Sequence, residues 1–236
     1  MASGILIDGL IVDLLHPITK HPIPVFGPED TGMEFKPGDG YNKRRRVAMR
    51  AGIIHWTGSE NPPETMFRTL NRRKLGVEFC ITQLGSVYQF CDPCEVDTAD
   101  AGAANKFSWG VEMICDGLVR KGKPTKTPKH MPPRTKYKTE IHGAKVTCRQ
   151  MYPAQLQSLF ALNALMADNV PAYGEAVCLA TGVINFKRFR GAMGHYNLNR
   201  GKTDPGPHTM HALRNFMATR HLTGEEIDAL EDRDGR

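Results

Sequence analysis

The alternation of apolar and polar positions becomes regular from Val47 onward. Ala51-Gly-Ile-Ile-His55 is a short apolar run suited to a buried strand that delivers His55 at its C-terminal end. Pro63-Glu64 then opens a helix: proline is favoured in a first turn, and Glu64 suits the positive end of the dipole. Arg72, Arg73 and Lys74 suit the negative end, Met66, Phe67 and Leu70 form one apolar face, and Gly76 can close the helix. Val77 to Thr82 and Val87 to Phe90 read as strands around the turn Leu84-Gly85-Ser86, and Trp109 to Ile114 as a further strand. Pro153 to Asn169 predicts a helix that is apolar on most sides, therefore packed on a sheet, and Pro171 forbids its continuation. A helix over His211 to Arg220 follows, then a short one from Thr223 with Glu226 completing a capping box.

Strands mixed with helices, a hairpin among them, predict an α/β fold: one domain with a central mixed β-sheet flanked by helices. The expected boundaries are an N-terminal extension over 1–46, the main domain over 47–222 and a C-terminal short helix and tail over 223–236. The extension is rich in Pro and Gly after Leu15, ends in the run Lys43-Arg44-Arg45-Arg46, and is expected to wrap the domain. A length of 236 residues fits one core with elaborations.

Charge changes this picture in one place. Residues Arg120 to Arg149 hold ten Lys or Arg against the single acid Glu140, a local balance of +9 within a chain of net +6. The interspersed Gly122, Pro124, Pro128, Pro132 and Pro133 make this segment an expected extended loop, a basic insertion spanning 117–149. Anionic polymers are its expected electrostatic partner. Nucleic acid is not among them, because Tyr137 alone is no aromatic platform. No apolar run approaches a membrane span. Ile5 to Leu15 carries Asp8 and Asp13 and lacks a basic start, so it reads as structure rather than a secretion signal. The protein is therefore expected to be made in the cytoplasm without a signal peptide, and any action outside it would need export by something else.

Six cysteines in a chain this long do not form a disulfide framework. Cys80, Cys115 and Cys178 sit in apolar strings and read as buried packing. Cys91 and Cys94 form a lone Cys-Asp-Pro-Cys: ordinary loop cysteines, a local disulfide or a second metal are all open readings.

The chemistry-bearing segment is Gly194-His-Tyr-Asn-Leu-Asn-Arg-Gly-Lys-Thr-Asp-Pro-Gly-Pro207, whose glycines and prolines forbid a continuous helix. In an extended stretch residues two apart point the same way, so Lys202 and Asp204 can face one site. With His55 the chain can supply two imidazoles and a carboxylate, a set Zn2+ uses in hydrolases while a fourth position stays free for water. Glu112 is then a candidate general base and Lys202 a candidate oxyanion stabiliser. A strand glutamate facing solvent and an ordinary Asp-Pro-Gly turn are the plainer alternatives.

The strings IIHWTGS, GVEFCITQLGSVYQF, AGAANKFSWGVEM and GHYNLNRGKTDPGP, in this order over residues 47–218, resemble type 2 N-acetylmuramoyl-L-alanine amidases. That superfamily includes phage lysins, wall-recycling amidases and animal peptidoglycan recognition proteins. The resemblance implies a zinc enzyme that cuts the amide between the lactyl group of N-acetylmuramic acid and L-alanine in peptidoglycan or a muropeptide. It implies His55, His195 and Asp204 as metal ligands, Lys202 as the catalytic lysine, and Glu112 as the glutamate of recycling-type members. Trp56, Glu78, Asp100 and Asn105 are its candidate substrate contacts. The chain departs from many relatives at Val77, Glu78 and Asp100, where tyrosine or histidine is common, and in the length of its basic insertion. Glu78 and Asp100 are expected either to favour a cationic group on the substrate or to be surface acids. A phage or prophage endolysin is the expected role, acting on the cell wall after release by another protein and drawn to anionic wall polymers by the basic segment, with a cytoplasmic recycling amidase or a non-catalytic peptidoglycan-binding module as alternatives.

Overall fold

The computed structural model describes residues 4–17, 19–120 and 127–221. The N-terminal region contributes strands rather than a plain wrapping. β1 (Gly4–Ile7) and β2 (Leu10–Asp13) form an antiparallel hairpin. Ile5 and Ile7 are buried, whereas Leu10 and Ile11 stay exposed. β3 (Val25–Phe26) joins the edge of the main sheet, the single turn α1 (Pro28–Thr31) follows, and β4 (Lys43–Arg44) pairs with β8 (Val96–Asp97). The expected basic run is therefore partly interior: Arg45 is buried, with its guanidinium 3.0 Å from Asp97 and 3.4 Å from Glu78.

The main sheet also takes in β5 (Ala51–Trp56), β6 (Phe79–Ile81), β7 (Val87–Gln89) and β9 (Ser108–Met113). Its order is β12-β13-β5-β9-β6-β7-β3, with β12 (Ala176–Val177) and β13 (Gly191–Gly194) completing seven strands. The five strands from β12 to β6 run parallel, and β7 turns back antiparallel to β6. Parallel strands covered on both faces read as near-continuous apolar runs, and β5 is buried over its first five residues. Successive residues still serve opposite faces: Phe79 and Ile81 enter one core cluster and Cys80 another.

Helix α2 (Pro63–Arg72) supplies Met66, Phe67 and Leu70 to the cluster around Phe35 and Phe90. It ends before Gly76, because Lys74 itself takes the left-handed conformation at φ 59°. On the opposite face α3 (Pro153–Asn169) packs against α4 (Pro207–Thr219), with the rings of Phe160 and Phe216 stacked at 4.9 Å. α4 starts one turn before His211, because Pro207 occupies its first position with no amide hydrogen to leave unpaired. This is one α/β domain built as a mixed sheet between helices. The helix expected from Thr223 lies outside the described residues.

The basic segment is not an extended loop throughout. Lys136–Ile141 and Ala144–Arg149 are β10 and β11 of a hairpin, paired in register from Lys136↔Arg149 to Ile141↔Ala144. Its base is anchored by two buried cations. Arg134 donates to Glu60 at 2.8 Å, to the Ile114 carbonyl at 2.8 Å and to Gln155 at 2.9 Å; Arg149 pairs with Asp116 at 3.2 Å. Removing one member of the Arg134–Glu60 pair would leave a buried charge alone, a cost of about 3–5 kcal/mol.

All six thiols are free, and Cys94 donates its backbone N–H to Asp92 in a turn, so Cys91 and Cys94 form no disulfide. Among the described residues no helix is long and apolar enough to cross a membrane.

Candidate metal centre

The parallel register brings the chemistry to one end of the sheet. His55 on β5 lies directly beside Glu112 on β9, and Gly194, the last residue of β13, lies beside Ile54. His195 therefore emerges next to His55, outside the carboxyl ends of three adjacent parallel strands, where open α/β sheets place their ligands. A single turn of 3-10 helix (His195–Asn197) carries the chain away. Asn197 holds that turn by accepting from the Gly194 N–H at 3.0 Å and donating to the carbonyls of Ala180 and Gly182. The loop returns through Lys202 to Asp204, whose carbonyl accepts from the Tyr196 N–H, and a cis Asp204–Pro205 peptide leads into α4.

Three donor atoms converge. His55 Nδ1 lies 2.9 Å from His195 Nδ1 and 3.2 Å from Asp204 Oδ2, and His195 Nδ1 lies 3.0 Å from the same oxygen. All three residues are buried. Zinc bonds of about 2.0–2.1 Å in a tetrahedron need donor separations of about 3.3 Å, so the trio fits three corners of such a site. The second imidazole nitrogen of His55, Nε2, is 3.0 Å from Asp100 Oδ2. That contact puts the His55 proton on Nε2 and aims the Nδ1 lone pair at the shared point, the usual arrangement behind a metal-bound histidine. Asp100 can approach because β9 has Gly110 there: a Cβ at that position would lie 2.1 Å from Asp100 Oδ2.

The charges follow from this packing. Burial alone would lower the His55 pKa, but its hydrogen bonds to Asp100 and Asp204 raise it to about 10. Burial, followed by the neighbouring His55, lowers His195. Burial opposes ionisation of Asp204, yet the hydrogen bonds from His195 and His55 hold its carboxyl well below the usual range. Burial pushes Glu112 up to about 7 against the pull of His55. Glu112 Oε2 is buried with no hydrogen-bond partner among the described residues. A carboxyl poised near neutrality with a spare acceptor at a cleft is the state a general base requires.

His55, His195, Asp204, Glu112 and Lys202 line one cleft of about 300 Å³, together with Trp56 and Asp100. A hollow of about 600 Å³ adjoins it beyond Trp56, lined by Leu118, Arg120 and Lys129 of the basic segment among others. Two of the expected substrate contacts are placed elsewhere. Glu78 is neither a surface acid nor on the cleft wall: it is fully buried, accepting from Thr98 Oγ1 at 2.7 Å and the Gly110 N–H at 2.6 Å beside Arg45. Asn105 accepts from the Ala101 N–H and lines a separate hollow with Tyr41 and Lys43. A second acid–thiol group, Glu60, Cys115 and Asp116, has its carboxylates already engaged by Arg134 and Arg149. The sequence alone did not reveal the Asp100–His55 contact, since nothing in the pattern ties residues 45 positions apart.

Solved structures with similar folds are peptidoglycan-binding and wall-lysing proteins. The Drosophila peptidoglycan recognition protein SD is 15% identical over 84% of this chain and 94% of its own, with a TM-score of 0.48. Peptidoglycan recognition protein-LE, solved in complex with tracheal cytotoxin, is 12% identical over 86% of this chain and 98% of its own, with a TM-score of 0.50. The Ph2119 endolysin of the Thermus scotoductus MAT2119 bacteriophage is 14% identical over 80% of this chain and 98% of its own, with a TM-score of 0.49. At these identities the likeness is one of fold. Among curated protein sequences none matches. The N-acetylmuramoyl-L-alanine amidase family model matches residues 44–207, a span that runs from the arginine run through both histidines and Asp204. The chain belongs to the N-acetylmuramoyl-L-alanine amidase family.

Proposed function

We propose that this protein is a zinc-dependent peptidoglycan amidase that hydrolyses the bond between the lactyl carbonyl of N-acetylmuramic acid and L-alanine, serving as a phage or prophage endolysin. The observation that carries the reading is the convergence of His55 Nδ1, His195 Nδ1 and Asp204 Oδ2 within 3.2 Å of one another, in the cleft that Glu112 and Lys202 also line. His55, His195 and Asp204 would hold Zn2+, which when bound polarises a carbonyl and draws the pKa of water towards neutrality. Glu112 takes the proton as water attacks the lactyl carbonyl carbon. The ammonium of Lys202 stabilises the negative charge that develops on the carbonyl oxygen. As the C–N bond breaks, Glu112 returns the proton to the departing nitrogen of L-alanine, leaving a carboxylate on the sugar and a free amine on the peptide.

Digestion of purified sacculi and of soluble muropeptides in parallel, with mass spectrometry of the products, tests this reading. Free N-terminal L-alanine released from sacculi is the expected result. Cleavage confined to soluble muropeptides would assign a recycling enzyme instead, and no cleavage of either with zinc bound would leave a binding module.

Asp100 is expected to act through His55. Asp100→Asn should weaken zinc binding by about 10–100-fold, the usual effect of losing such an outer partner, in a protein that still folds. A metal competition titration that gives the wild-type affinity would dismiss this role.

Lys129, Lys136, Lys138 and Lys145 of the basic segment are exposed, whereas Arg134 and Arg149 are committed to ion pairs. The exposed cations would draw the protein to anionic wall polymers. Neutralising these four lysines should reduce sedimentation with intact walls at low salt, and the difference should vanish at about 1 M salt, where screening acts within about 3 Å. Equal sedimentation of both forms at low salt would count against it.

A further inference from the structure

The inserted hairpin does more than carry charge. Its base is fixed by Arg134 and Arg149, and its tip reaches the loop between the metal ligands. The pairing of Ile141 with Ala144 leaves a two-residue turn, His142-Gly143, with φ of 54° and 79°. Positive φ at both central residues fits a type I′ turn, in which Asn-Gly is the favoured pair and histidine is among the side chains that tolerate the first position. His142 is held there by two contacts. Its N–H donates to the Thr181 carbonyl at 2.8 Å, and its ring nitrogen Nε2 lies 3.1 Å from the backbone carbonyl oxygen of Lys202. A carbonyl only accepts, so Nε2–H is the donor. The same ring meets the edge of Tyr196, the neighbour of His195, at 6.5 Å. Around Lys202 the loop is otherwise tied onto itself, with the N–H groups of Gly201 and Lys202 donating to Asn199. The tip of the hairpin thus supplies an anchor from outside the loop at the residue whose side chain faces the cleft.

We propose that His142 is a positioning residue for Lys202, fixing the backbone from which the ammonium reaches the scissile carbonyl. The inference rests on the catalytic role given above to Lys202. A misplacement of about 1 Å in a reacting group can cost about 100-fold in turnover, whereas zinc retention depends on residues the hairpin tip does not touch.

The test compares wild type, His142→Asn, His142→Gln, Lys202→Ala and the His142→Asn/Lys202→Ala double variant on a soluble N-acetylmuramoyl peptide. Asparagine keeps the turn, being favoured in it, but is too short to reach Lys202; glutamine restores an N–H donor at longer reach. His142→Asn should lower kcat roughly tenfold, the scale of one lost hydrogen bond, with KM, zinc content and melting temperature unchanged. His142→Gln should recover most of that loss. In the Lys202→Ala background the His142→Asn change should have no further effect. Wild-type kcat for His142→Asn beside an impaired Lys202→Ala overturns the inference alone, as does a full additional tenfold loss in the double variant or a failure of glutamine to rescue. Full activity of Lys202→Ala removes the lysine's assigned role and this inference with it, while leaving the zinc site intact.

Discussion

His195→Ala and His55→Ala should each abolish zinc retention and with it amide hydrolysis, the largest loss expected from any single change in this protein. Each histidine supplies one of three donors packed within 3.2 Å. With one gone, the remaining two cannot hold the metal against competing water and buffer. The effect should exceed the 10–100-fold typical of outer partners, and Asp204→Ala should at least weaken binding strongly. Elemental analysis should find about one zinc per wild-type chain, and a chelator should stop cleavage. Zinc-free protein that cleaves at full rate, indifferent to chelation, would remove the central claim. The pH dependence has a definite sign. Without metal, His55 carries a proton up to about pH 10, whereas His195 is lowered and Asp204 stays ionised. Zinc uptake near pH 7.5 must therefore expel about one proton, and the apparent affinity should rise about tenfold per pH unit through the neutral range. Competition titrations at three pH values in buffers of different ionisation enthalpy read both quantities.

How much of this was legible in the chain depends on how local the signal is. The strand that ends at His55 and the strand that carries Glu112 are short apolar runs of ordinary composition, and their register alone brings the two side chains together. The strand Gly191–Gly194 was not legible, because Gly-Ala-Met-Gly offers no alternation, yet it is the strand that presents His195. Its small residues are what the close approach of the edge strand β12 admits: a Cβ on Gly191 would lie 2.0 Å from the Ala176 carbonyl oxygen. The three proposed metal ligands were legible by residue type and by resemblance. The partners behind them were not. Asp100 and Glu78 read as candidate substrate contacts or surface acids, and Arg45 as one of four basic residues ending an extension that wraps the domain. Only long-range packing shows that Arg45 and Glu78 form an internal pair beneath β9 and that Asp100 sets the tautomer of His55. The basic segment misled for a different reason. Its prolines end at Pro133, and the alternation from Lys136 to Arg149 is masked by lysines on the exposed face of a hairpin whose other positions, Ile141 and Cys148, are buried.

Lys202→Ala and Glu112→Gln should retain zinc and fold but lose on the order of a hundredfold or more in turnover, as expected for an oxyanion stabiliser and a general base. The pH profile separates the two roles. Burial holds the Glu112 carboxyl near 7 in the metal-free cleft, and a bound divalent cation draws it lower. Only the ionised form accepts a proton, so wild-type kcat/KM should rise with pH and level off at or below about pH 7. Lys202→Ala should lower the profile while keeping a rising limb, moved to higher pH because the ammonium that helps hold Glu112 down is gone, and Oε2 of Glu112 remains free to act. Glu112→Gln should erase the limb, since the amide neither titrates nor takes a proton, while leaving the volume of the side chain nearly unchanged. Near-wild-type turnover in either variant would dismiss the role given to that residue. A limb that persists unchanged in Glu112→Gln would instead assign the titration to the zinc ligands, with water reaching the carbonyl already deprotonated.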